Sequence, residues 1–158
     1  MFIRYFLDLA VPLDEVEAAL LAEPSSWVPG LARDAQDRGE HLLAEVGFDL
    51  DEHRIDKEVL VEIGTPHALP WKTMLPISWT ATGPERAFPE LDADIEIAAL
   101  GANRTQLSIS ARYRPPFGAL GRAVDKAILH RVAEATVKDF LDGVGARLQA
   151  RVSGGVDD

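Results

Sequence analysis

The stretch RYRPPFGALGRAVDKAILHRVAEATVKDFL, residues 112–141, joins two kinds of secondary structure. It opens on an alternating run, passes two prolines and a glycine-containing turn, and continues as a long helical pattern. At 100° per residue the helix has one apolar sector, formed by Leu129, Ala133, Val137, Phe140, Leu141, Val144 and Leu148. The pattern predicts a helix over residues 120–151, about 45 Å long, with an apolar stripe that needs a partner surface.

Five runs upstream of this helix supply such a surface, because apolar and polar residues alternate in each of them. The runs span residues 41–49, 54–64, 71–82, 91–99 and 105–114. Together with a strand over residues 2–9, they indicate an antiparallel sheet with one buried face. In one run the alternation places Trp71 inward with Trp79, and Pro76 predicts an edge position or a bulge.

Two short helices are predicted between the first strand and the rest of the sheet. One covers residues 13–22 and carries apolar residues at helical spacing, with acidic residues in its first turn. The other covers about residues 25–39 and contains Trp27. The segment GTPHALPW, residues 64–71, is predicted to be a loop at one end of the sheet, either a gate for a ligand or a rigid connection.

The predicted fold class is α+β, with a curved antiparallel sheet of six strands gripping a long C-terminal helix. A seventh strand would fall near residues 83–90. We expect a single domain over residues 1–152 and a disordered C-terminal tail over residues 153–158.

Composition narrows the classes of function. The chain has 158 residues, a formal net charge of -10 and no cysteine. The negative charge disfavours nucleic acid as a partner. Stable membrane insertion requires an apolar run of about 20 residues, and no run in the sequence approaches that length. Without cysteine there is no disulfide, thiolate nucleophile or cysteine-bound metal, which fits a cytoplasmic location. We expect no cofactor.

The order of elements and the run YRPPFGALGRAVDKAILHRVAEATVKDFL resemble the START-like helix-grip superfamily, also called SRPBCC or birch-pollen-allergen-like. Further features of the resemblance are PLDEV after the opening strand, residues 12–16, and Trp27 in the second short helix. It covers residues 2–152 and implies a hydrophobic cavity that binds lipids, sterols, polyketides, quinones or plant hormones. Some members are aromatase/cyclases. Within the superfamily, this chain resembles a bacterial member of the polyketide cyclase/dehydrase-like kind. The superfamily has no short catalytic signature, so the resemblance assigns no catalytic residue.

The candidate ligand-binding residues are the side chains expected to face the helix from the sheet, together with two on the helix itself. They are Val59, Val61, Ile63, Leu75, Ile77, Trp79, Ile95, Ile97, Leu107, Ile109, Tyr113, His130 and Val137. Tyr113 and Trp79 each offer an apolar body with a polar tip, which suits an apolar pocket with few polar anchors. The alternative for both residues is ordinary core packing.

Three hypotheses for function follow. The first is a binding module that holds a hydrophobic small molecule without chemistry. The second is a cyclase/dehydrase-like enzyme in which His130 and Tyr113 form an acid/base pair, against the alternative that His130 is a histidine paired at the edge of the core. The third is an interaction protein, monomer or homodimer, whose extra contact surface is Val124, Ile128 and Val132.

Metal sites are disfavoured. Asp92, Asp94 and Glu96 share one strand face, opposite the apolar set, so a solvated sheet surface explains them better than a metal. Residues 49–53 could collect a hard cation, but they lack the glycine and distal glutamate of a calcium loop. Lys57 points inward by alternation near a strand end, where its ammonium can reach solvent.

Overall fold

The computed structural model of the chain describes residues 1–28, 42–50, 53–81, 90–114 and 126–154. The strands are β1 (Phe2–Leu9), β2 (Leu42–Leu50), β3 (His53–Ile63), β4 (His67–Leu69), β5 (Lys72–Ala81), β6 (Glu90–Ala99) and β7 (Thr105–Arg114). The helices are α1 (Leu13–Leu20) and α2 (Lys126–Gly154), with a 3₁₀ turn at Pro24–Ser26.

All strand pairs are antiparallel, and the sheet runs in the order β1-β7-β6-β5-β3-β2, with β4 added beside β5. The helix α2 contacts both edge strands, β1 and β2. A flat sheet of six strands could not reach one helix from both edges, so this sheet curves around α2. The predicted fold class, α+β with a curved antiparallel sheet around a C-terminal helix, is confirmed.

The core lies between the sheet and the helices. From α2 it takes the predicted apolar sector, of which Ala133, Val137, Phe140, Leu141, Val144 and Leu148 are buried. From α1 it takes Val16, Ala19 and Leu20, and Trp27 and Val28 after the 3₁₀ turn are also buried. The rest of the predicted second short helix and residues 83–89 of the predicted seventh strand lie outside the described residues.

The seventh strand of the sheet is β4, within the segment predicted to be a loop. That prediction was wrong for residues 67–69, because three residues are too few to show alternation. The turn between β4 and β5 includes Trp71, which is 62% exposed rather than inward, because β5 begins only at Lys72.

Pro76 lies in the interior strand β5, at a break in its pairing. On one side of β5, β3 pairs with residues 77–81 and β4 pairs with residues 72–74. Pro76 falls between them, where its missing N–H leaves no gap in either ladder, and its carbonyl accepts from Gly64 N–H at 2.8 Å. Pro76 therefore lies neither on an edge strand nor at a bulge, since the pairing of β5 with β6 runs in one register from Lys72 to Trp79.

The helix α2 continues to Gly154, so the first two residues of the predicted tail are helical, and residues 155–158 lie outside the described part of the chain. In the described segments no helix has the length and apolar character that crossing a membrane requires.

Candidate ligand-binding site

The predicted site residues on the strands share one face of the sheet. All of them are buried except Ile63, which is half-buried. The strand register sorts them into transverse rows, because directly paired residues in neighbouring strands point to the same side. Val137 of α2 is buried in the same core.

One row combines the two aromatic residues singled out in the sequence. Val61 pairs with Trp79, Trp79 with Leu91, and Leu91 with Tyr113. Trp79 and Tyr113 are therefore two strands apart, about 10 Å, on one face. The Trp79 ring packs against the ring of Phe140 from α2 in an edge-type arrangement, with the ring centroids 5.0 Å apart.

Three buried polar atoms have no hydrogen-bond partner among the described residues. Two are on this face of the sheet: Nε1 of Trp79, a side chain that is 1% exposed, and Oγ1 of Thr73 on β5. The third is Nε1 of Trp27, which follows the 3₁₀ turn. Leaving such a donor unsatisfied costs about 1–3 kcal/mol. An acceptor supplied by a bound molecule would remove that cost.

Neither Thr73 nor Trp27 was among the candidate site residues. The sequence carries a signal for Thr73, because a threonine at an inward position of an apolar strand is a polar group on a buried face. For Trp27 the sequence has no comparable signal, because its burial depends on contacts between the 3₁₀ turn and α2.

The row beside Trp79 and Tyr113 carries small side chains at its centre. Ile77 pairs with Ala93, Ala93 with Ala111, and Ala111 with Ile3. The two paired alanines project less far from the sheet than the paired Ile95 and Ile109 of the next row. The face therefore has small side chains in one row and, one row away, an indole N–H that has no acceptor among the described residues.

Tyr113 keeps its proton far above neutral pH. Burial raises the pKa of Tyr113 to about 12, because the phenolate would lose its hydration. At neutral pH its hydroxyl is therefore a hydrogen-bond donor as well as an acceptor.

His130 lies on the outside of the core, in a groove of about 470 Å³ between β1 and α2. Its side chain is 43% exposed; Nε2 lies 2.9 Å from Glu134 Oε1, and Nδ1 lies 2.9 Å from Met1 Sδ. Met1 in turn exchanges backbone hydrogen bonds with Tyr113. The two members of the hypothesised acid/base pair are thus linked only through Met1, whose Sδ contacts His130 and whose backbone bonds to the backbone of Tyr113, while the Tyr113 side chain is buried.

Beside the same groove, polar side chains connect β1 to α2. Tyr5 donates to Asp142 Oδ1 at 2.8 Å, Lys138 donates to Asp142 Oδ2 at 2.7 Å, and the ammonium lies 5.6 Å from the Tyr5 ring centroid. Burial and the hydrogen bond to Asp142 raise the pKa of Tyr5. The hydrogen bond to Asp142 raises the pKa of Lys138.

The acidic face of β6 is on the outer surface of the sheet. Asp92 and Asp94 are exposed, and Asp92 pairs with Arg114 at 2.6 Å and Glu96 with Lys72 at 3.5 Å. The described residues contain no group of three or more histidines and carboxylates that could hold a metal ion. Within the segment over residues 49–53, residues 51 and 52 lie outside what the structure describes, and so does the Lys57 side chain.

Solved structures share this architecture over almost the whole chain. A conserved protein from Geobacillus kaustophilus has a TM-score of 0.62 and 17% identity, with 98% of this chain and 97% of that chain covered. A START superfamily protein from Mycobacterium smegmatis has a TM-score of 0.54 and 14% identity, with 97% of each chain covered. The chain has the START-like helix-grip fold.

The Zhui aromatase/cyclase from Streptomyces sp. R1128 shares the helix-grip fold, with a TM-score of 0.54, 12% identity and 99% and 95% of the two chains covered. No protein-family model and no curated protein matches the sequence. At these identities the likeness establishes the fold. Within this helix-grip fold, Trp79, Thr73 and Tyr113 lie on the gripping face, whereas His130 lies in the groove outside it.

Proposed function

We propose that the protein binds a largely apolar small molecule between the inward face of the sheet and α2, through an acceptor that receives the Trp79 indole N–H. The observation that carries the proposal is the buried Nε1 of Trp79, which has no hydrogen-bond partner among the described residues and lies on a largely apolar face. Binding sites for such ligands are lined by apolar side chains with few polar groups that fix orientation.

The chemistry of the face indicates the class of ligand. Trp79 Nε1 is a donor only, so its partner must carry an acceptor such as a carbonyl, ester or ether oxygen. The row of small side chains at Ala93 and Ala111 favours a ligand with a flat or elongated apolar part next to that acceptor. Polyketides, quinones and acyl lipids all meet this description.

Binding without chemistry fits the polar groups better than acid–base catalysis by the hypothesised pair. The pKa of Tyr113, raised to about 12 by burial, opposes a role as a base near neutral pH. His130 is engaged with Glu134 and Met1 in the outer groove. Among the described side chains, His130 and Tyr113 therefore do not face a common site at which both could act on one substrate.

Native mass spectrometry of the purified protein, followed by denaturation and extraction, tests the proposal first. We expect an additional mass that is released on unfolding and that belongs to an apolar compound with at least one oxygen acceptor. A clean apoprotein mass, together with failure of the probe titration below, would contradict the proposal.

The probe titration uses prodan, an apolar naphthyl ketone whose emission shifts to the blue in apolar surroundings. We expect a saturable shift for the wild type and about two- to tenfold weaker binding for Trp79→Phe, which keeps an aromatic side chain but removes the indole N–H. Trp71→Phe is the matched control, because Trp71 is 62% exposed and should leave the titration unchanged. Equal affinities for both variants would exclude the indole N–H as the anchor.

A further inference from the structure

The strand β1 forms one edge of the sheet, and its free backbone groups can be identified from its register. Met1 exchanges two hydrogen bonds with Tyr113, so the odd-numbered residues of β1 bond to β7. The N–H and C=O groups of the even-numbered residues Phe2, Arg4, Phe6 and Asp8 therefore point away from β7. Among the described strands, none pairs with that side of β1.

The side chains on these even positions are apolar and charged in alternation. Phe2 is 61% exposed and Phe6 is 60% exposed. Within the described part of the chain, Arg4 has no ion-pair partner and Asp8 is paired with Arg104 alone, at 3.0 Å on the surface. An exposed edge strand with large apolar side chains is a template for pairing with another strand.

We propose that β1 pairs with β1 of a second copy of this chain in an antiparallel register that places Phe6 opposite its own counterpart. In this register the residue two positions before Phe6 faces the residue two positions after Phe6 in the second copy, so Arg4 faces Asp8 of that copy. The three even pairs formed by Arg4, Phe6 and Asp8 each exchange two backbone hydrogen bonds. The two sheets then continue as one through a twofold axis at Phe6.

Charge complementarity selects this register over its neighbours. A twofold axis at Arg4 would set two guanidinium groups against each other, which is destabilising. An axis at Tyr5 would place Arg4 opposite Phe6 and Asp8 opposite Phe2, leaving no opposite-charge pair. The axis at Phe6 gives two arginine–aspartate pairs and one aromatic pair on the same outer face.

Asp8 can accept the new contact without losing its present one. Its carboxylate is 43% exposed and Arg104 binds one oxygen, Oδ2. The guanidinium of Arg4 from the second copy can approach the other oxygen. Beside the edge, the groove between β1 and α2 shows that α2 does not close over the stretch from Phe2 to Tyr5.

Disulfide trapping tests the register, and the absence of native cysteine makes single substitutions unambiguous. In Phe6→Cys the two Cα atoms would lie about 5.5 Å apart, within the range that a disulfide spans. In Phe2→Cys, the control at an equally exposed position of the same strand face, they would lie about 27 Å apart, eight residues along the strand. We expect rapid covalent dimerisation of Phe6→Cys and only slow collisional crosslinking of Phe2→Cys.

Sedimentation equilibrium tests the association itself. The wild type should dimerise reversibly, and Arg4→Asp or Asp8→Arg alone should weaken the dimer about tenfold, because each opposes like charges across the axis. A mixture of the two variants should restore association, since every facing pair is then of opposite charge. A wild type that stays monomeric, or equal crosslinking rates for the two cysteine variants, would overturn the proposal.

Discussion

Gly64 and Pro76 meet where the chain leaves β3. A Cβ atom built at Gly64 would lie 2.9 Å from Cβ of Pro76, and the Gly64 N–H donates to the Pro76 carbonyl. The proline ring is rigid, so it cannot move aside as a flexible side chain would. The absence of a side chain at Gly64 therefore allows β5 to exchange one partner strand for another.

We expect Gly64→Ala to lower the free energy of unfolding by about 1–2 kcal/mol, because overpacking at Pro76 exceeds the entropy gained in the unfolded chain. Urea unfolding measures the change. Gly154→Ala is the control, because nothing lies within 4 Å of a Cβ at that helical position. If both substitutions shifted the urea midpoint equally, close contact at Pro76 would not be the cause.

Tyr113 predicts a loss of stability at high pH. Burial raises its pKa from the usual 10.0 to about 12, so the folded state holds a proton that the unfolded state has already lost. The stabilisation is complete below pH 10.0 and is lost as the pH rises toward 12. The total is on the order of 2 kcal/mol.

Tyr113→Phe isolates this effect, because it removes the titrating group and keeps the buried ring. We expect the unfolding free energy of the wild type to fall more steeply than that of the variant across this alkaline interval. Parallel curves would mean that the phenol has the same pKa in both states. The assay is urea unfolding at a series of pH values, with far-UV circular dichroism as the signal.

The long strands and α2 could be predicted from the sequence because each buries one face along most of its length. Alternation identified β1, β2, β3, β5, β6 and β7, and the apolar sector of α2 is the one that is buried. Short β4 has no such pattern, and the inward prediction for Trp71 failed because periodicity alone does not mark the first residue of a strand.

The candidate site was less predictable than the elements that carry it. Inward positions follow from alternation, so Trp79 and Tyr113 could be assigned to one face. Whether a buried polar group finds a partner depends on neighbours that are distant in sequence. Alternation therefore places Thr73 inward but does not reveal that its hydroxyl has no partner among the described residues. His130 is near the edge of the apolar sector, where a small rotation of the helix decides between core and groove.

Packing of α2 against the sheet predicts a large cost for shortening its buried side chains. Leu141 is fully buried in the core, and Leu141→Ala should lower the unfolding free energy by about 2–5 kcal/mol through lost burial and a cavity. Gln149→Ala, on the exposed side of α2, should change it by less than about 0.5 kcal/mol. Similar costs for both would contradict the assignment of the buried face.

Added salt changes the stability of the protein in two opposite ways, one through the net charge of -10 and one through the surface ion pairs. Self-repulsion of excess carboxylates destabilises the compact state, and screening relieves it. The pairs of Arg114 with Asp92, Lys72 with Glu96 and Arg104 with Asp8 are all partly exposed, so each contributes about 0–1 kcal/mol that screening weakens.

We expect repulsion to dominate, so the urea midpoint should rise when sodium chloride is increased from low to physiological ionic strength. Urea is the suitable denaturant because it adds no charge of its own. Asp94→Asn provides the control: Asp94 is exposed, and the variant reduces the negative charge by one unit. It should show a smaller salt-dependent rise than the wild type. A midpoint that falls with salt would mean that the ion pairs outweigh the excess charge.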